Sequence, residues 1–408
     1  MTDYLSLANA ATLLGIPSRV LRIRADAGVV RPHHTLADGE PVFHRDELAK
    51  LPGMGFLLSV AQAVPEKPVR TYRSIDLFAG AGGLSIGMEL SGFKPVALSE
   101  LDKHACATLR ANRPKWNVLE GDMRNHHFAR YEGAVDLVTG GFPCQSFSYA
   151  GKKLGLEDAR GTLFFEMAKV VRDVQPAVMV GENVRGLLTH DGGRTLDVIA
   201  AAVEEIGYTL FKPRLLKAIN YRVPQKRERL FLVAVREDLA KHAQQFAWPE
   251  PDPRVYTVRD ALLAGALYSC DVPTAPGQAY PPAKAAVLAA IPAGKNWTHL
   301  PVEAQKAYMG KHWYEGGGKT GVARRLHWDE PSLTLTCSPA QRKTERCHPD
   351  ETRPLTVREY ARIQTFPDDW AFSGSVSAQY KQIGNAVPVN LAHAVGSSVV
   401  AWLNRVRF

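Results

Sequence analysis

Arg73-Ser74-Ile75-Asp76-Leu77-Phe78, running directly into Ala79-Gly80-Ala81-Gly82-Gly83, is the stretch that decides the fold of this 408-residue chain. The first six residues read as a short strand and the next five as a glycine turn, ahead of a helical run that includes Leu84, Ile86, Met88 and Leu90. Strand, glycine turn, helix is the arrangement that holds a nucleotide-like cofactor, because glycines let the backbone at a helix N-terminus come close to a ligand. Alone, such a turn is as often a mere tight connection. A second strand, Pro95 to Ser99, ends in Glu100, about 20 residues beyond the glycines, where an acidic side chain commonly binds ribose hydroxyls. Another short segment ends at Asp122, placed for an adenine amino group.

Two further strands repeat the pattern. Ala134 to Thr139 leads into Gly140-Gly141-Phe142-Pro143-Cys144-Gln145-Ser146-Phe147-Ser148, and Ala177 to Gly181 leads into Glu182-Asn183-Val184. An arbitrary cysteine is most often a small buried apolar residue. Around Cys144, however, Gly140 and Gly141 are expected to turn the backbone, Pro143 stiffens the approach, and Gln145, Ser146 and Ser148 are polar. That setting suits a nucleophile. Glu182 follows five small or apolar residues, so it is expected in a cleft where burial tunes its pKa, rather than as a solvated carboxylate.

Composition sets looser bounds. A net charge of +9 favours attraction to phosphates, although many proteins that never meet nucleic acid share it. The five cysteines, Cys106, Cys144, Cys270, Cys337 and Cys347, form no Cys-x-x-Cys pair, which suits a reducing cytoplasm. Cys337 with Cys347-His348 matches no standard zinc spacing, so no metal is expected. No signal peptide and no apolar run long enough to cross a membrane is read from the chain.

The motifs together resemble those of the bacterial DNA cytosine-5 methyltransferases. The matching pieces are Asp76 to Gly83, the Gly-Phe-Pro-Cys-Gln-Ser-Phe-Ser loop, Arg160-Gly161-Thr162-Leu163-Phe164-Phe165, Glu182-Asn183-Val184, Gln225-Lys226-Arg227-Glu228-Arg229, and Gly384-Asn385-Ala386-Val387-Pro388. They occur in the family's order and span about Arg73 to Phe408. The resemblance implies an α/β fold. A Rossmann-like S-adenosylmethionine-dependent methyltransferase domain would carry a smaller, irregular target-recognition domain. It implies S-adenosyl-L-methionine as cofactor, held by Phe78, Ala79, Gly80, Gly82, Gly83, Glu100, Asp122, Pro143, Leu163 and Asn385. It also implies that Cys144 adds to carbon 6 of a flipped cytosine, that Glu182 serves ring nitrogen 3, that Arg229 contacts the cytosine oxygen and that Arg227 supports the site. Double-stranded DNA is the implied substrate and a cognate restriction endonuclease the implied functional partner, in a cytoplasmic, nucleoid-associated protein with no membrane association. The oligomeric state stays open, a monomer included.

The chain divides into five expected regions. Residues 1–51 resemble MerR-like and excisionase-like helix-turn-helix DNA-binding domains: Ser6 to Leu14 has helical spacing, Gly15-Ile16-Pro17 is a turn, Ser18 caps a second helix bearing Arg19, Arg22 and Arg24, and Val30 to Phe43 forms a wing. A small helical cap on the catalytic domain is the competing reading. Residues 52–68 read as a linker, 69–246 as the catalytic domain, 247–350 as the target-recognition domain, where Lys311, Lys319, Arg324 and Arg325 are expected to face phosphates or guanine edges of DNA, and 351–408 as the segment completing the catalytic domain. Two other functions compete: an RNA (tRNA) cytosine-5 methyltransferase, and a DNA-binding regulator with a vestigial methyltransferase. An enzyme that also represses its own operon is a mixed reading.

Overall fold

The computed structural model describes residues 3–58, 65–143, 163–315, 321–341 and 344–406. Its centre is an eight-stranded sheet. Strands β4 (Tyr72–Leu77), β5 (Phe93–Glu100), β6 (Val118–Glu120), β7 (Leu137–Gly141) and β8 (Val178–Val184) run parallel, and β9 (Tyr208–Leu210), β10 (Arg214–Lys217) and β12 (Glu228–Arg236) continue it antiparallel. The order is β10-β12-β8-β7-β4-β5-β6, with β9 beside β12. The chain starts in the middle at β4, moves to β5 and β6 on one side, and then crosses to β7 and β8 on the other. A crevice therefore opens at the carboxyl ends of β4 and β7, where strand order reverses.

The sheet is covered on both faces, which its nearly continuous apolar strands require. Alternate residues feed two cores. Ile75, Val138, Met179 and Leu232 pack under helices α6 (Leu163–Val174) and α7 (Arg194–Glu205), while Tyr72, Leu137, Val180 and Val233 pack under α4 (Gly83–Leu90) and α13 (Val389–Arg405). Helix α5 (Lys103–Asn112) starts at Asp102, whose side chain accepts from the amides of His104 and Ala105. The closing segment supplies α11 (Val357–Ile363), α12 (Val376–Asn385) and α13, so the last residues complete the first half of the sheet.

Val376–Arg405 is long and apolar enough to cross a membrane, contrary to the sequence reading. It is broken between α12 and α13 at Pro388, and 67% of its most apolar window is buried inside the molecule, as a core helix requires. The strands also run further than expected. Gly140 and Gly141 are the last residues of β7 rather than a turn, and Glu182 and Asn183 lie within β8, because β12 pairs with β8 as far as Val184.

The described residues of 254–350 are irregular, with short helices α8 (Val258–Leu262), α9 (Pro282–Ala289) and α10 (Val302–Met309), and among them one two-residue strand, β13 (Ser332–Leu333), pairing with β11 (Gln225–Lys226). Tyr280, Leu288, Ile291, Trp297 and Val322 form a separate small core. Arg325, expected among the DNA-facing cations, is buried instead. It donates to the carbonyl oxygens of Leu288, Ile291, His348 and Glu351, so the guanidinium takes the place of regular backbone pairing. Lys319, named with it, lies outside the described residues.

At the N-terminus, β1 (Tyr4–Ser6), α1 (Leu7–Leu14), α2 (Ser18–Asp26), β2 (His34–Thr35), β3 (Pro41–His44) and α3 (Arg45–Ala49) form a unit whose three strands pair in the order β1-β3-β2. Ser6 caps α1 by accepting from the Asn9 amide, and Gly15 ends it with φ of 71°. Pro17, not Ser18, occupies the cap position of α2, its ring holding φ at −60°, and it supplies no side-chain cap. The start of the expected linker is folded: Gly55–Leu58 forms a single turn, and Met54 and Leu57 join the N-terminal core.

The contact of α4 with α13 leaves no room for a methyl group at Gly87. A Cβ there would stand 2.3 Å from Ala392 Cβ and 2.6 Å from the His393 amide. Gly87→Ala is expected to destabilise the chain by about 1–3 kcal/mol through forced separation of the helices, read as a lower thermal midpoint. An unchanged midpoint would mean that this contact is looser than the structure shows.

Candidate active site

The crevice at the switch point holds a cavity of about 700 Å³. Phe78, Ala79, Gly80 and Gly83 line it from the end of β4, Glu100 from the end of β5, Pro143 from the segment after β7, and Asn385 from the end of α12. Glu182, Arg227 and Arg229 line its other wall. Ten of the fourteen expected site residues thus meet in one place. Gly82, Asp122 and Leu163 are described but do not line the cavity, and Cys144 lies outside the described residues, as do Gln145 to Ser148 and Arg160 to Thr162.

The glycine turn is held from several sides. Phe78 has φ of 58° and Gly80 of 55°, a left-handed corner that costs a side chain of the phenylalanine type about 1–3 kcal/mol unless its surroundings impose it. Glu100 imposes it in part: Oε2 accepts from the Gly80 amide at 2.7 Å and Oε1 from the Asp102 amide at 2.7 Å. Trp370 Nε1 donates to Ala81 O at 3.1 Å, and the Trp370 ring lies 3.1 Å from the place a Gly82 Cβ would take. Gly82 is therefore a packing glycine behind the turn. Gly83 faces Val387 O, which a Cβ would approach to 2.3 Å. Sequence reading missed Trp370, which sits in a Pro-Asp-Asp-Trp loop with no local mark of burial. Asp102 and Lys381, whose charged groups are 3.3 Å apart on the cavity wall, were missed as well.

Asp122 is turned to Arg124, whose Nε is 2.9 and 3.0 Å from its two oxygens, and this hydrogen bonding pulls the carboxyl down to about 2. Leu163 opens α6, directly after the undescribed stretch. Asn385 Oδ1 accepts from Cys337 Sγ at 3.2 Å.

Glu182 is the chemically distinctive group. Its side chain is buried at the end of β8, with Oε1 2.7 Å from Arg229 Nε. Burial pushes its carboxyl above the usual range, and the charges of Arg229 and Arg227 oppose that rise without cancelling it. Gly141 makes the space, since a Cβ there would stand 3.1 Å from Glu182 Oε2. Asn183 Nδ2 donates to Phe142 O at 2.8 Å, fixing the backbone just ahead of Pro143 and Cys144. Arg227 is fully buried and donates to Leu335 O at 3.1 Å, Gly384 O at 2.9 Å and Ala386 O at 3.1 Å. It is a structural clamp at the cavity wall. Among the described residues no group of three His, Cys, Asp or Glu side chains is placed to hold a metal ion.

Sheet order and a ligand cavity at the switch point define an α/β methyltransferase fold. The Dnmt2 methyltransferase of S. pombe superposes with a TM-score of 0.54 at 17% identity, covering 82% of this chain and 100% of that one. Residues 72–401 match the family described as C-5 cytosine-specific DNA methylase. The Type II methyltransferase M.Eco47II of Escherichia coli is 53% identical over 408 residues, 100% of this chain and 97% of that protein. M.PspPI of Psychrobacter sp. is 52% identical, covering 98% of this chain and 97% of that protein, and M.Sau96I of Staphylococcus aureus is 48% identical over 82% and 77%. The chain belongs to the C-5 cytosine-specific DNA methylase family and is a DNA cytosine-5 methyltransferase. Members of this family depend on S-adenosylmethionine. Neither the RNA reading nor the vestigial one is favoured by these matches.

The raised carboxyl carries a stability signature. Folding lifts Glu182 above its ordinary 4.5, so the folded chain keeps this proton to higher pH than the unfolded chain does. Its contribution is fully present below the unfolded pKa and is lost as pH rises through the folded one. Glu182→Gln cannot ionise, so its thermal midpoint relative to wild type should climb as pH rises from the ordinary carboxyl value of 4.5 through the raised folded-state value. Parallel pH profiles for the two proteins would contradict a raised pKa.

Proposed function

We propose that Cys144, Glu182 and Arg229 carry out methyl transfer to carbon 5 of a cytosine flipped out of duplex DNA, with the reacting base beside Glu182 and S-adenosylmethionine toward the glycine turn. The observation that carries this reading is the buried Glu182–Arg229 pair. It stands on the same cavity as the glycine turn and Glu100, and beside the backbone that Asn183 holds as it enters Cys144. The cavity fits such a cofactor: the glycines of the turn present backbone to it, the N-terminus of α4 carries no side-chain cap, and Glu100 and Asp102 offer acidic groups. Phe78, Ala79, Gly80, Gly83, Glu100, Pro143 and Asn385 would hold it. Gly82 would act by packing, while Asp122 and Leu163 do not line the cavity. When bound, the cofactor supplies an electrophilic methyl group.

Carbon 5 of cytosine is a weak nucleophile. A thiolate at Cys144 adds to carbon 6, and the electron pair of the 5,6 double bond moves toward carbon 5 and the ring as nitrogen 3 takes a hydrogen bond or proton from Glu182. Its raised pKa suits that task, and the Arg229 guanidinium beside it would hold the exocyclic oxygen on carbon 2 of the base. After carbon 5 is methylated, loss of its proton re-forms the double bond and expels the thiolate, so the cysteine is regenerated. Extruding the base costs a few kcal/mol, which contacts to the flanking strand must offset.

The relatives' names as Type II methyltransferases support a role beside a restriction endonuclease. The N-terminal unit is read as a winged helix-turn-helix. This reading is supported by two helices joined at a tight corner, a following β2–β3 pair, and exposed Arg19 and Arg24 on α2.

Wild-type protein with S-adenosylmethionine should trap a duplex bearing 5-fluorocytosine at the target position as a covalent complex, because fluorine blocks the final elimination. Cys144→Ala should neither trap nor methylate. Active wild-type protein that never traps would sink the covalent mechanism. Glu182→Gln keeps the side chain's size but removes the acid and should slow single-turnover methylation by about 10²–10⁴-fold. Turnover near wild type would assign nitrogen 3 to another group.

A further inference from the structure

A second cavity, of about 660 Å³, adjoins the active site. The two share Val184, Arg227 and Arg229, so they meet at the guanidinium paired with Glu182. One wall of the second cavity is the corner between α1 and α2, with Thr12, Gly15, Pro17 and Ser18. The other is catalytic: Arg185 and Gly186 just after β8, Lys217 at the end of β10, Lys226 in β11, and Thr334 after β13. Five basic residues (Arg185, Lys217, Lys226, Arg227 and Arg229) and a single acidic one, Glu228, line it; Arg185 pairs with Glu228 at 2.9 Å, and Lys226 stands 3.7 Å from Glu330.

The N-terminal wall is fixed to the catalytic domain. Its core includes Ile219 and Val255, residues far along the chain from the first fifty. Asn9 Nδ2 donates to Asp329 O at 3.1 Å, the buried Arg45 donates to Pro253 O, and Lys217 Nζ donates to Leu13 O at 3.4 Å. The corner itself is tight, since a Cβ at Gly15 would stand 2.7 Å from Lys217 Nζ. A unit that shares a core with its neighbour cannot swing away to read a separate duplex while the active site is engaged. The match to M.Eco47II covers all of this chain, N-terminal unit included.

We infer that this second cavity holds the phosphodiester backbone of the strand carrying the target cytosine, with the α1–α2 corner as a fixed flank of the groove. The inference rests on the larger cavity receiving that base. A flipped base keeps its two backbone links outside the pocket, and the strand must leave the pocket past Arg229. There it meets lysine and arginine side chains on one side, and on the other the N-terminus of α2, which no side chain caps. The N-terminal unit therefore helps bind the duplex being methylated.

Ser18 tests this without touching the catalytic groups. An acidic residue in the first turn of α2 suits the helix dipole, so Ser18→Glu should fold normally, while its charge would face the proposed phosphate. With full-length protein and a duplex carrying the methylation sequence found by bisulfite sequencing, Ser18→Glu should raise Kd and KM about tenfold at low salt. The defect should shrink as salt is added, and Ser18→Lys should bind at least as tightly as wild type. Wild-type affinity in Ser18→Glu, with the 5-fluorocytosine trap still working, would overturn the inference. So would loss of a footprint at some other sequence with target affinity intact, which would make the unit an independent operator reader. Failure of the trap in wild type would instead remove the reading of the active site, and this inference with it.

Discussion

A single buried guanidinium holds this molecule's separate parts in register. Arg227 lies at the corner between β11 and β12, with no solvent to satisfy it, and its two terminal nitrogens donate to the backbone carbonyls of Leu335, Gly384 and Ala386. Those carbonyls belong to the irregular region and to the returning C-terminal segment. Gln225 extends the clamp, accepting from the Leu335 amide at 2.9 Å and donating to Gln364 at 2.8 Å. Gln364 in turn donates to Ile383 O and Ala386 O. Each of these buried polar groups would be costly to leave unpaired, so the network admits one arrangement of the three segments. The cavity walls follow from that arrangement.

Charge at the site follows from the same burial. Glu182 would favour its neutral form in isolation, and the guanidinium of Arg229 beside it pulls the other way. A carboxyl that burial raises above its ordinary range keeps its proton to higher pH than a freely solvated glutamate does, which suits it to share that proton with a base that gains charge. The strand pairing of β8 with β12 keeps the two side chains adjacent, since Arg229 pairs with Val184 and Phe231 with Glu182. The sheet edge therefore sets the electrostatics directly.

The N-terminal unit shows how packing changes the reading of a motif. Two helices, a tight corner and a short antiparallel pair are ordinary parts of a DNA reader, and arginines on α2 encourage that view. Docking against the catalytic domain limits how such parts can be used. Because Ile219 and Val255 complete the unit's core, its corner is a wall of a groove beside the active site rather than a tethered module.

Much of the fold was legible in the residues alone. Strand, glycine turn and helix around Phe78 to Gly83, an acid at Glu100, and small apolar runs ahead of Cys144 and Glu182 are local patterns, set by backbone freedom and by the two-residue period of a sheet. Their meeting in one cavity follows from sheet order, which parallel strands linked by helices largely impose. What the residues could not show depended on partners distant in the chain. Arg325 and Arg227 read as DNA-facing or site cations, and their burial is decided by carbonyls more than twenty residues away. Gly140 and Gly141 read as a turn, whereas they are strand residues whose missing side chains make room for Met167 and for Glu182. Trp370 and Lys381 reach the site only because the last helices fold back across the first strands. Sequence determines local conformation through short-range sterics and periodicity, while the pairing of buried charges and the fit of one backbone against another exist only once the tertiary structure has brought them together.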